Sequence, residues 1–77
     1  MPLTPAQCRA ARALITWSQD RLAREAKASK TTIANFESGR RNTYERTLVD
    51  FRRVLETAGV EFIAENGGGA GVRLRKA

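Results

Sequence analysis

Seventy-seven residues suffice for one domain spanning residues 1–77 and leave no room for a second, catalytic one. Fourteen Lys and Arg against eight Asp and Glu give a formal charge of +6, an excess that suits a nucleic-acid partner, although basic surfaces also suit anionic membranes. Histidine is absent and cysteine occurs once, which excludes a disulfide framework, the usual proton shuttle and the common His/Cys metal sets, so neither an enzyme nor a cofactor is expected.

No apolar run approaches the ~20 residues needed to span a bilayer. The opening Met1-Pro2-Leu3-Thr4-Pro5 has neither the basic start nor the apolar stretch of a signal peptide, so a cytoplasmic, non-membrane protein is expected.

Thr4-Pro5-Ala6-Gln7 reads as a helix start, with Thr4 as N-cap, Pro5 at the first helical position and Gln7 closing a capping box. Leu3 and Cys8 suit the accompanying staple. Cys8, Ala11, Leu14 and Ile15 then share one side of a helix running from about Pro5 to Ile15. Ser18 caps a second helix, about Gln19 to Ala26, whose first turn carries Asp20 where it complements the helix dipole. After a break at Lys27-Ala28, Ser29 caps a third short helix that Gly39 stops. Leu48, Phe51, Val54, Leu55 and Ala58 recur at helical spacing and place a fourth helix between Glu45 and Ala58, stopped by Gly59. Alternation in Val60–Ala64 and again in Val72–Arg75, around the Gly-rich Asn66–Gly71, predicts a β-hairpin over 60–75. The fold class is therefore mainly α: four helices followed by a C-terminal hairpin.

Residues 19–38 have the size of two helices crossing at a tight turn. Together with Trp17-Ser18-Gln19, Leu22-Ala23, Ala28-Ser29, Thr32-Ile33-Ala34-Asn35-Phe36-Glu37, Gly39-Arg40-Arg41 and Thr47-Leu48, they resemble the Xre and phage Cro/repressor family of helix-turn-helix proteins. The likeness covers about Leu14 to Val60, and its specificity lies in the combination. One departure stands out: the family usually has Gly in the turn, where this chain has Lys27, and a non-Gly residue in left-handed backbone costs ~1–2 kcal/mol.

On the third helix the angular positions bury Ile33 and Phe36, flanked by Thr32 and Glu37, and turn Thr31, Ala34, Asn35 and Ser38 outward with Lys30 at the edge. Short, polar, acid-free side chains suit a DNA major groove. A polar helix face by itself more often merely solvates, and the surrounding motif reverses that weighting. The resemblance implies base reading by Lys30, Thr31 and Asn35, with Lys30 suited to guanine and Asn35 to adenine. It also implies a phosphate contact at Gln19, and Ser29 joins it because helix N-termini present free N–H groups; Arg40 and Arg41 could be a solvated loop pair, but directly after the recognition helix they read as phosphate clamps, with Tyr44 a further phosphate donor. Arg12 and Glu37 lie at the edges of facing apolar sides, and the resemblance implies an ion pair between them. Cys8 reads as a small core residue and Gly67–Gly71 as a turn.

On the hairpin, Val60 and Phe62 can meet Val72 and Leu74 over the fourth helix, while Glu61 and Glu65 can meet Arg73 and Arg75 on the outer face. Ile63 sits among those charges, which makes it and Phe62 candidates for a dimer interface; the alternative is one ordinary exposed apolar residue. The function expected is a sequence-specific regulator reading double-stranded DNA as a homodimer. The competing class is an antitoxin or accessory module that binds a protein partner such as a toxin, and for it the outward face of the third helix should be apolar. A non-specific RNA binder would need aromatics interleaved with Arg on an exposed sheet, and the hairpin holds only Phe62.

Overall fold

The first three helices begin where a side-chain hydroxyl can satisfy an orphan N–H of the first turn. In the computed structural model, which describes residues 3–76, the Thr4 hydroxyl accepts from the Gln7 N–H at 3.0 Å and Gln7 Oε1 accepts from the Thr4 N–H at 3.1 Å. That reciprocal box, with Pro5 behind it, starts α1 (Pro5–Leu14). The terminal residues Met1, Pro2 and Ala77, on which the leader argument and the full domain span partly rest, lie outside the described residues. The Ser18 and Ser29 hydroxyls each accept an N–H three residues on, at 3.0 Å, and so open α2 (Gln19–Ala26) and α3 (Lys30–Glu37). The fourth helix, α4 (Glu45–Thr57), starts from Tyr44 without a side-chain cap.

Three of the helices end alike. Trp17 N–H donates to Arg12 C=O at 2.9 Å and Thr16 N–H to Ala13 C=O at 3.2 Å. Ala28 and Lys27 repeat the pair on Ala23 and Arg24, and Arg40 and Gly39 repeat it on Asn35 and Phe36. These are Schellman motifs, which require one left-handed residue apiece. Gly39 supplies it at φ 74°, but Thr16 and Lys27 adopt φ 56° with a side chain attached. The tight turn between α2 and α3 is therefore built on Lys27 without a change of geometry.

Beyond Gly59 the chain forms β1 (Val60–Ile63) and β2 (Gly71–Leu74), paired antiparallel with Val60 opposite Leu74, Glu61 opposite Arg73, Phe62 opposite Val72 and Ile63 opposite Gly71. Leu3, Cys8, Ala11, Leu22, Ala23, Ile33, Phe36, Phe51, Leu55 and Val60 make one hydrophobic cluster to which all four helices and the hairpin contribute. The architecture is the expected one, four helices and a hairpin.

Two details of the hairpin are corrected. Glu61 does pair with Arg73, but Glu65 lies outside the strand and Arg75 is occupied elsewhere, its N–H on Gly59 C=O and its guanidinium on Glu56 C=O, both at 2.8 Å. Antiparallel strands run in opposite senses, so stepping from Glu61 toward Glu65 moves away from Arg75. The hairpin also does not simply cover the fourth helix: β1 packs on α4 while β2 packs on α1, to which Gln7 ties it by donating from Nε2 to Gly71 C=O at 3.1 Å. Leu74 consequently stays 54% exposed.

Candidate nucleic-acid interface

The core fixes α3 by its apolar side. Ile33 is fully buried, and Phe36 packs its ring 6.3 Å from that of Phe51 on α4. This leaves Lys30, Thr31 and Ser38 exposed and Asn35 half-buried on the other side. Asn35 is partly covered because the chain after α3 folds back on it, the Arg40 and Arg41 N–H groups both donating to its C=O, at 3.0 and 3.4 Å. The result is an open groove of about 360 Å³, walled by Thr31, Thr32 and Asn35 of α3, by the loop from Arg41 to Tyr44 and by Thr47 of α4.

The charge around this groove is one-sided. Between Ala26 and Tyr44 the only carboxylate is Glu37, and it is 3% exposed and neutralised. Lys27, Lys30, Arg40 and Arg41 all reach solvent from the same segment; the first turn of α4 then carries one exposed charge of each sign, Glu45 and Arg46. Lys30 is paired with Asp20, Nζ to Oδ2 3.6 Å, with both side chains exposed. The structure thus brings Thr31, Asn35, Arg41 and Tyr44 together at one groove, with Tyr44 85% exposed at its rim. Arg40 lies exposed beside it.

Gln19 and Ser29 are placed differently from the other phosphate candidates. The Gln19 amide donates one Nε2 hydrogen to Glu37 Oε1 at 3.0 Å, which turns the side chain toward α3 and leaves its second hydrogen and the backbone N–H groups of that helix start for an anion. Ser29 uses its hydroxyl on the Thr32 N–H and shares a 2.8 Å hydrogen bond with the Thr32 hydroxyl.

Glu37 anchors the end of α3. Arg12 grips both carboxylate oxygens, Nη2 to Oε1 and Nε to Oε2, each at 2.7 Å, and its third contact is Nη1 to Trp17 C=O at 3.0 Å. The Cys8 thiol donates to Oε2 at 3.1 Å, and the Arg9 guanidinium donates to the Glu37 C=O. Burial pushes the Glu37 carboxyl upward, but the Arg12, Gln19 and Cys8 hydrogen bonds together outweigh it and hold the carboxyl below its ordinary range. The same hydrogen bond raises the Arg12 guanidinium. Burial, with the hydrogen bond to Glu37 next, pushes the Cys8 thiol far up, which makes it a structural donor and no nucleophile.

The Arg12–Glu37 pair was legible from the two helical wheels. The Cys8, Arg9 and Gln19 contacts were not, because they depend on how three helices converge. Among the groove residues, Thr43 and Thr47 were also missed; Thr43 precedes the N-cap of α4, so no helical periodicity links it to Thr47. Of the dimer candidates, Phe62 is half-buried beneath the Arg52 guanidinium, 5.3 Å from its ring centroid, and Ile63 is half-buried opposite Gly71. Among the described residues no helix is long and apolar enough to cross a membrane. Compared with known proteins, the chain matches no family model and no curated sequence.

Proposed function

We propose that this protein is a sequence-specific regulator of the Xre and Cro/repressor type, which inserts α3 into the major groove of double-stranded DNA and acts as a homodimer in the cytoplasm. One observation carries the reading. The exposed side of α3 and the loop beyond it combine short hydrogen-bonding side chains with Lys and Arg and show no carboxylate of their own, because the segment's single acid is buried under Arg12.

Phosphate attracts such a surface whatever the sequence, and base edges in the groove can then be read by Lys30, Thr31 and Asn35. Arg40, Arg41 and Tyr44, beside or within the groove, fix the register on the backbone, with the first turns of α2 and α3 as further anion sites at Gln19 and Ser29. The polar character of that face is also what separates this role from an antitoxin or accessory module, whose partner would meet apolar side chains there. A binding protein of this kind needs no cofactor and performs no chemistry.

The test is selection of bound duplexes from a random library, followed by sequencing. A palindromic motif supports a dimeric regulator. Recovery without any enriched sequence would overturn sequence-specific reading and shift weight to the interaction module.

A further inference from the structure

Among the described residues Asp20 is the carboxylate paired with Lys30. It is 70% exposed in the first turn of α2, its Oδ2 3.6 Å from the ammonium of Lys30, itself 59% exposed at the start of α3. Beside the exposed side of α3, which carries no acid of its own, its placement works against binding a polyanion. Resting on the DNA-binding reading above, we propose that Asp20 is a specificity-determining residue, which holds the Lys30 ammonium away from phosphates while leaving it free to read guanine.

The reason lies in what each partner asks of the ammonium. Lys Nζ carries three N–H donors and no acceptor. Guanine O6 and N7 are neutral acceptors in the groove, so Lys30 can give them one or two hydrogens and keep another on Asp20. A phosphate is an anion that competes with Asp20 for the same charge, and its approach also brings two negative groups together. Asp20 therefore weakens every complex in which Lys30 would touch only backbone, and weakens the guanine-reading complex little. The consequence is a larger ratio of specific to random affinity, obtained by lowering the random one.

The experiment measures wild type, Asp20→Asn, Lys30→Gln and the double variant on the selected duplex and on a random duplex of equal length, across a salt series, each variant first checked by thermal melting. Asp20→Asn should tighten random-duplex binding by about two- to fivefold, in line with the modest strength of an exposed ion pair, and leave the selected duplex unchanged to within about 1.5-fold. Its random-duplex salt slope should steepen by about one phosphate contact, ~0.9. In the Lys30→Gln background the substitution should change neither ratio nor slope. An equal gain on both duplexes, a gain that persists without Lys30, or no gain at all would each overturn the role of Asp20 while leaving DNA reading intact. Wild type with equal affinity for both duplexes would instead sink the underlying reading.

Discussion

Replacing Arg12 by Met would leave the Glu37 carboxylate, 3% exposed, with only the Gln19 amide and the Cys8 thiol as side-chain donors. Arg12 is itself 18% exposed, so the expected loss is toward the lower end of the ~3–5 kcal/mol typical of a broken buried pair. A double-mutant cycle of Arg12→Met with Glu37→Leu should show coupling of roughly 1–3 kcal/mol in chemical denaturation, and additive losses would mean that the two side chains act independently. The sign with pH follows from the lowered carboxyl. Below its ordinary 4.5 the unfolded chain takes up the proton before the folded one, so this stability is present above 4.5 and is lost as pH falls through the folded value. Melting curves of Glu37→Gln should accordingly show a shallower acid slope than wild type. At the groove, Thr31→Ala and Asn35→Ala should cost ~1–3 kcal/mol on the selected duplex and little on a random one, whereas Arg40→Ala and Arg41→Ala should weaken both and flatten the salt slope by roughly one unit each. Equal losses on both duplexes for Asn35→Ala would remove it from the base readers. At this scale the sequence is readable where helical wheels decide the outcome, as the two wheels do for Arg12 and Glu37. It is silent where one side chain must choose between partners: nothing local tells Gln19 to turn to Glu37 and not outward.

Helix starts and stops are decided by a few consecutive residues, which is why the caps at Thr4, Ser18 and Ser29 and the stop at Gly39 were all readable in the chain. Thr16 was not, because a β-branched residue gives no hint of left-handed backbone; the Schellman bonds from Trp17 and Thr16 hold it there against its own preference. Strain of this kind is removable. Lys27→Gly and Thr16→Gly should each stabilise the fold by about 0.5–1 kcal/mol, the relief at φ 56° being partly offset by the greater freedom of glycine in the unfolded chain. Thr16→Gly should gain more, since its branched Cβ clashes more. For a chain of this size 1 kcal/mol corresponds to roughly 4–8 °C in Tm, so a melting temperature unchanged or lowered in both variants would show that neither position is strained. The hairpin marks the limit of local reading. Its alternation was visible, but the register depends on partners on opposite sides of the connecting loop, and the pattern of charges alone allowed Glu65 and Arg75 a role that the ladder denies them.

Each copy carries one α3 to place in a groove, and successive major grooves on one face of DNA lie ~34 Å apart. One copy can read a single groove, so the long palindromic site proposed above needs two. For the proposed dimer, the hairpin is the candidate contact. A two-stranded ribbon is marginal alone and leaves both edges open. The bond from Arg75 N–H to Gly59 C=O makes those two a hydrogen-bonded pair, and alternation then turns the N–H and C=O of Val72 and Leu74 outward from the sheet. Leu74 adds a side chain 54% exposed on that same strand, whereas Phe62 is sheltered by Arg52 and Ile63 is half-buried. The contact expected at Ile63 and Phe62 on β1 is thus better served by Leu74 on β2. Leu74→Lys puts a charge at the strand edge without opening the buried core, so its melting temperature at low concentration should stay near wild type. In sedimentation it should run as a monomer where the wild-type chain runs as a dimer, and its affinity for the full palindrome should fall toward that for a half-site. A dimer that survives Leu74→Lys but not Ile63→Lys would move the interface to β1, and a wild-type chain that stays monomeric at high concentration would end the proposal that two copies assemble before meeting DNA.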